Sequence, residues 1–173
     1  MHFREATKKD IPAILALHQA VAEAGGIARR PHEITHAYVK TFTEQSTTGG
    51  LIIVCEDPVN PNHLIAEVHA HKKGVAAFNH VLSNLTVVVH PNHQGKKIGR
   101  TIFTIFLEEI ALHRNDIGRV ELIAHESNAR AISLYQSLGF VIEGRMEMRF
   151  KLPDGKYEAD IPMSWKNPNF ETD

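Results

Sequence analysis

The chain has 173 residues with a net charge of -1 and a pI near 6.9, a length that fits one domain. A domain of that size buries about 70% of its unfolded surface and needs no disulfide or metal staples. Balanced charge, 43% hydrophobic content and 23% charged content are ordinary for a globular protein and exclude the strongly basic pattern of a nucleic-acid or membrane binder. Cys55 is the single cysteine, so an intramolecular disulfide, a C-x-x-C pair and a cysteine-rich zinc site are excluded. It follows the apolar run from Leu51, which marks it as a buried small hydrophobe. The N-terminus has no signal-peptide core, and no stretch approaches the ~20 apolar residues of a membrane span. The chain is expected in the cytoplasm.

Residues 2–6 predict a first strand. A helix follows, with Asp10 as N-cap, Pro12 early, and Ile11, Ile14, Leu15, Leu17 and Val21 at helical spacing until Gly25-Gly26 stops it. Residues 33–45 predict a second helix around Ile34, Tyr38, Val39 and Phe42. Leu51 to Glu56 predicts a buried strand, Asp57 to Asn62 a turn, and His63 to His71 the return strand of a hairpin. Leu82 to Val89 is a β-branched strand closed by Pro91, and Lys97 to about His113 an amphipathic helix. Arg119 to His125 predicts a strand, and Asn128 to Leu138 a helix ended by Gly139. Phe140 to Leu152 and Tyr157 to Trp165 predict a hairpin closing on Asp154-Gly155, and the tail after Asn167 is expected to fray. The order β-α-α-β-β-β-α-β-α-β-β predicts an α/β (α+β) layered domain over residues 1–166, with a mixed sheet of about seven strands flanked by four helices, and residues 167–173 as a short tail.

The informative segment runs from Val87 to Arg100, where a β-branched strand meets a proline, a short polar loop and a helix start. A helix N-terminus offers unpaired backbone N–H groups and the positive end of the helix dipole, which together attract anions. Gly95 lets the backbone approach a ligand, and Gly99 permits close helix packing. Lys96, Lys97 and Arg100 oppose the dipole there, a cost that an anion removes. A phosphate or pyrophosphate suits this place. The Walker A pattern and the dinucleotide G-x-G-x-x-G fingerprint are both absent.

This segment resembles the acetyl-CoA motif of the GNAT superfamily, [QR]-x-x-G-x-[GA] after a strand ending in V-x-P. Gln94, Ile98 and Gly99 match, as do Val89 and Pro91, whereas Lys97 stands where the family usually has its middle glycine. A right-handed helical conformation is expected for Lys97. The resemblance implies pantetheine along the backbone of Val87, Val88 and Val89, with pyrophosphate held by N–H groups from Gly95 to Arg100. A second stretch, Asn128 to Phe140, resembles the family's N-x-x-A-x-x-[LF]-Y-x-x-x-G-F signature. Asn128 reads as an N-cap, Ala131 and Leu134 are expected to face the core, and Tyr135 lies about two turns along. The resemblance implies that Asn128 and Tyr135 belong to the cofactor side, with Tyr135 protonating the departing CoA thiolate.

The implied chemistry is direct attack of a neutral primary amine on the thioester, with backbone N–H groups near Val87 and Val88 polarising the carbonyl. A base is then expected. Its candidates are Glu67, His69, His71, Asn84 through water, Glu121 and Glu126. Glu67, His69 and His71 share one face of a strand, which looks either into the cleft or out to solvent. Among twelve histidines, His69-x-His71 has no identifiable third ligand, so no metal is expected. The resemblance implies a substrate-side loop where Arg29 and Arg30 fall, and two arginines suit a carboxylate; with Asn84 they are the substrate candidates. The stretch Glu143 to Tyr157 is similar to GNAT members acting on amino acids and small amines. The leading expectation is a small-molecule or amino-acid N-acetyltransferase. Its alternatives are a protein N-terminal α-amine acetyltransferase and a non-catalytic acyl-CoA-binding module. No dimer interface is legible, which leaves a homodimer open.

Overall fold

A computed structural model describes residues 1–171. Among these, eight strands form one sheet and four α-helices flank it. Strands β1 (His2–Glu5), β2 (Gly50–Glu56), β3 (Leu64–His71) and β4 (Val81–Val89) run antiparallel as neighbours. Strand β5 (Arg119–His125) lies parallel to β4, and β8 (Tyr157–Lys166) follows it, with β6 (Val141–Ile142) and β7 (Met146–Lys151) both paired to β8. No helix among the described residues is long and apolar enough to cross a membrane.

Helices α1 (Ile11–Glu23) and α2 (His36–Gly49) cover one face of β2 to β4, packing Ile14, Leu17, Val21, Val39 and Phe42 onto Ile52, Val54 and Val88. Helix α3 (Ile98–His113) covers the other face with Ile102, Phe103, Phe106 and Ile110, all fully buried. Each such side chain contributes about 1.5–3 kcal/mol of burial. Helix α4 (Ala129–Ser137) lies on the same side as α3.

Several expectations shift. The strand expected over residues 140–152 is broken into β6 and β7 around Gly144, which makes eight strands rather than seven. Asp10 does not cap α1; its carboxylate turns back to the Thr7 N–H at 2.7 Å and pairs with Arg4. On α4, Ile132, Tyr135 and Leu138 pack against the core instead of Ala131 and Leu134, because the i, i+3 stripe begins one residue later. The tail is held over residues 167–170. Asn167 donates to Ile117 O at 2.8 Å, Asn169 to Ala111 O at 2.8 Å, and Phe170 lies against Gly118.

Candidate functional site

Strands β4 and β5 are hydrogen-bonded only at Val81–Leu82 with Arg119–Val120. Beyond that point they part, and the edge of β4 that faces β5 is unpaired through Val87, Val88 and Val89. The separation begins at a bulge. The β3–β4 register shifts between His69 and His71, and Asn84 there has a φ of 56° and is exposed. Val88 is buried toward α1 and α2, whereas Val87 and Val89 pack toward α3.

The free edge leads into the loop before α3. Gly95 has a φ of 77° and Lys97 a φ of 61°, two left-handed residues two apart. The right-handed conformation expected of Lys97 is therefore wrong: the turn requires a glycine-like backbone, and the lysine adopts it at a cost of about 1–2 kcal/mol. The first helical bond runs from Thr101 N–H to Lys97 O at 3.0 Å. Among the described residues, the backbone N–H groups from Gly95 to Arg100 have no protein acceptor. A Cβ on Gly99 would sit 3.4 Å from Val89 Cγ2, so α3 starts close against the end of β4. Gln94 Nε2 donates weakly to Val89 O at 3.4 Å, Lys96 Nζ reaches Asn92 O at 3.3 Å, and Arg100 donates to Ser137 Oγ at 2.7 Å. Ile98 is buried beneath them. Free strand edge, six unpaired donors and local positive charge fit a long ligand with amide groups along its length and phosphates at one end.

Helix α4 begins where Asn128 Oδ1 accepts the Ala131 N–H at 3.1 Å. Tyr135 lies edge-on to Phe103 at 5.5 Å, and burial pushes its phenol up to about 12. Among the described residues its hydroxyl has no hydrogen-bond partner. It lies on the α3 side of the sheet.

The face carrying Glu67, His69 and His71 is not a solvated strand. Helices α1 and α2 close over it, and Glu67 and His69 are 0% and 2% exposed. Glu67 accepts from His18 at 2.7 Å and from His69 at 2.8 Å, so both carboxylate oxygens are occupied. Burial raises the Glu67 pKa, but the charge on His69 and the hydrogen bonds from both imidazoles outweigh it and hold the carboxyl below its usual range. His69 stacks on Phe42 at 4.0 Å. His18, Glu67 and His69 bring three metal-capable atoms within 4.8 Å of one another, but the short hydrogen bonds already account for the arrangement.

Of the remaining base candidates, Asn84 is exposed and the other three are engaged. His71 Nδ1 faces Lys72 O at 3.2 Å, Glu121 holds Arg119 and Ser83 at 3.0 Å each, and Glu126 is clamped by Arg145 at 2.6 and 2.8 Å. Arg29 lies over the Tyr38 ring at 4.0 Å, and the backbone N–H of Arg30 donates to Glu33 Oε2 at 2.7 Å. His18 and His125 were not distinguished by the sequence. His18 shows no signal beyond its place in an apolar helix, whereas His125 carries one, the alternation of polar residues along β5.

The chain belongs to the GNAT acetyltransferase family, whose domain model matches residues 48–142. A curated relative, the L-amino acid N-acyltransferase MnaT of Escherichia coli (strain K12), is 35% identical over 71 residues, spanning 40% of this chain and 38% of that protein. The match thus covers well under half of that relative's length. A ribosomal-protein-alanine N-acetyltransferase from Brucella melitensis superposes with a TM-score of 0.80 at 22% identity, over 96% of this chain and 99% of that one. A GNAT superfamily phosphinothricin acetyltransferase from Sinorhizobium meliloti, solved in complex with AcCoA, gives a TM-score of 0.82 at 16% identity, over 98% and 89%. At such identities these structures speak for the shared fold.

Proposed function

We propose that the chain transfers the acetyl group of acetyl-CoA directly to a primary amine of a small molecule, with L-amino acids as the leading class and the cytoplasm as the compartment. The observation that carries this reading is the unpaired edge of β4 running into six free N–H donors at the start of α3. Val87, Val88 and Val89 would hold the pantetheine amides, and Gly95 to Arg100 the pyrophosphate, with Gln94 bracing the loop. Lys96 and Lys97 supply charge, and Arg100 adds charge while tying the loop to α4. The acetyl-CoA complex of the Sinorhizobium meliloti enzyme supports the cosubstrate, and the name of the Escherichia coli relative supports the acceptor class. Tyr135 serves as the proton donor to the leaving thiolate, since its burial keeps it protonated. Asn128 positions α4 by capping it, and Asn84 and Arg29 border the acceptor side.

The test follows thiol release from acetyl-CoA with the twenty protein L-amino acids, short polyamines and a peptide starting with alanine. Turnover on amino acids supports the reading. Turnover on the peptide alone favours the N-terminal α-amine alternative, and acetyl-CoA binding without turnover on any acceptor favours the binding module.

A further inference from the structure

The geometry points to His125 as the general base that takes the proton from the acceptor amine, with Asp160 as the residue that positions it. This rests on the acetyl-transfer reading above.

Strand β5 alternates. Val120, Leu122 and Ala124 are buried in the core shared with α3. Arg119, Glu121, Ile123 and His125 therefore lie on the opposite face. The contact of Glu121 with Ser83 on β4 ties this face to the one that carries Thr86 and Val88. Tyr135 comes from α4, on the α3 side. Tyr135 and His125 thus lie on opposite faces of the sheet, and His125 stands at the end of β5, the strand that borders the gap. The amine adds to the planar thioester carbon and sulfur leaves as the tetrahedral intermediate collapses, so the base that serves nitrogen and the acid that serves sulfur are separate groups.

The ring is held for this task. His125 Nδ1 lies 2.8 Å from Asp160 Oδ1. A carboxylate only accepts, so Nδ1 carries the hydrogen and Nε2 presents its lone pair. Phe150 stacks on the imidazole at 3.8 Å and fixes its plane. Asp160 is itself mostly buried, with Arg149 Nε 3.7 Å from its second oxygen. Among the described residues Nε2 has no hydrogen-bond partner, and the side chain keeps 29% exposure. The other charged groups near the end of β5 are spoken for: Glu126 by Arg145, and Glu158 by the Ser127 N–H. Glu67 has both carboxylate oxygens occupied, and His69, at 2% exposure, presents far less surface to an entering amine than His125 does.

In the step, His125 Nε2 takes one proton from the ammonium group and later passes it to solvent. The amine lone pair forms the C–N bond, and the C–S bond breaks with its electron pair on sulfur. Tyr135 gives its proton to that sulfur and is reprotonated by the second proton leaving nitrogen. The sum is an ammonium and a thioester giving an amide, a thiol and one proton.

The experiment compares wild type, His125→Gln, His125→Ala and Asp160→Asn on the best acceptor found in the panel above. Circular dichroism and acetyl-CoA binding serve as controls for the fold. General-base loss lowers kcat about 10²-fold or more, with the KM for acetyl-CoA within about twofold. The His125→Gln rate should keep climbing with pH as the amine deprotonates unaided, where wild type has levelled off. Added imidazole should restore part of the His125→Ala rate, and Asp160→Asn should give a smaller loss with a displaced pH profile. A His125→Gln rate within about twofold of wild type and an unchanged profile would overturn the assignment alone. So would a loss that is uniform in pH and unrescued by imidazole. A wild type inactive on every acceptor overturns the acetyl-transfer reading and this assignment with it.

Discussion

His18 Nε2 lies 2.7 Å from Glu67 Oε2, and both side chains are wholly out of water. An ion-type pair at 0% exposure is held by geometry, because the attraction only roughly offsets the desolvation of its partners. Removing one member leaves the other buried and short of a partner. His18→Ala and Glu67→Ala should each cost about 3–5 kcal/mol in urea unfolding. The double variant should cost clearly less than the sum, since the two residues share one interaction. Additive losses would show that the pair is uncoupled.

The same cluster sets an acid limit. The Glu67 carboxyl is held below its usual range, as are those of Asp10, Glu121 and Glu143, each paired with an arginine. A lowered folded pKa contributes stability that is complete above the unfolded value, near 4.5 for Glu67, and is lost as pH falls through the folded value. The thermal midpoint should therefore be level above about pH 5 and fall steeply from there toward pH 2. Glu67→Gln should flatten that fall, and an equally steep fall in this variant would remove Glu67 from the account.

Burial pushes the Tyr135 phenol up to about 12, so it stays protonated throughout the working range. Tyr135→Phe should reduce kcat by about 10²-fold while acetyl-CoA binding, measured by calorimetry, stays within about twofold. Its folding stability should change little, because the hydroxyl has no protein partner among the described residues. Full activity in the phenylalanine variant would transfer the acid role to water.

Lys97 holds a φ of 61° at the start of α3. Glycine there would remove about 1–2 kcal/mol of strain and add back about 0.5–1 kcal/mol of unfolded-state freedom. Lys97→Gly should raise the melting temperature by about 1–4 °C, whereas Lys97→Ala, which keeps the strain, should not. Loss of the charge should weaken acetyl-CoA binding mainly at low salt. A Lys97→Ala midpoint matching that of Lys97→Gly would remove strain as the cause.

Much of this was legible before the fold was known. The β-branched run to Val89, the stop at Pro91 and the cap at Asn128 gave β4, the loop and α4 nearly to the residue, because each is a local signal. Lys97 departs from expectation because its side chain favours a right-handed backbone, whereas the turn, not the side chain, decides the conformation. Glu67 and His69 could be put on one face by alternation, but whether helices close over that face depends on α1 and α2, far away in sequence. His125 and Asp160 are 35 residues apart, and only the β5–β8 register brings them together. The break at Gly144 leaves no local signal, because the residues either side of it still read as strand.

The parting of β4 and β5 puts a bare strand edge in the middle of a sheet instead of at its rim. Bare edges bind extended chains, and here the start of α3 and the helix α4 border the opening. Whatever fills it works as mortar between two masonry blocks, β1 to β4 and β5 to β8, which the sheet itself joins through only two residue pairs. Occupancy should thus be read far from the opening, as slower amide exchange along both β4 and β5. The grip on the ligand and the cohesion of the two halves are one set of hydrogen bonds.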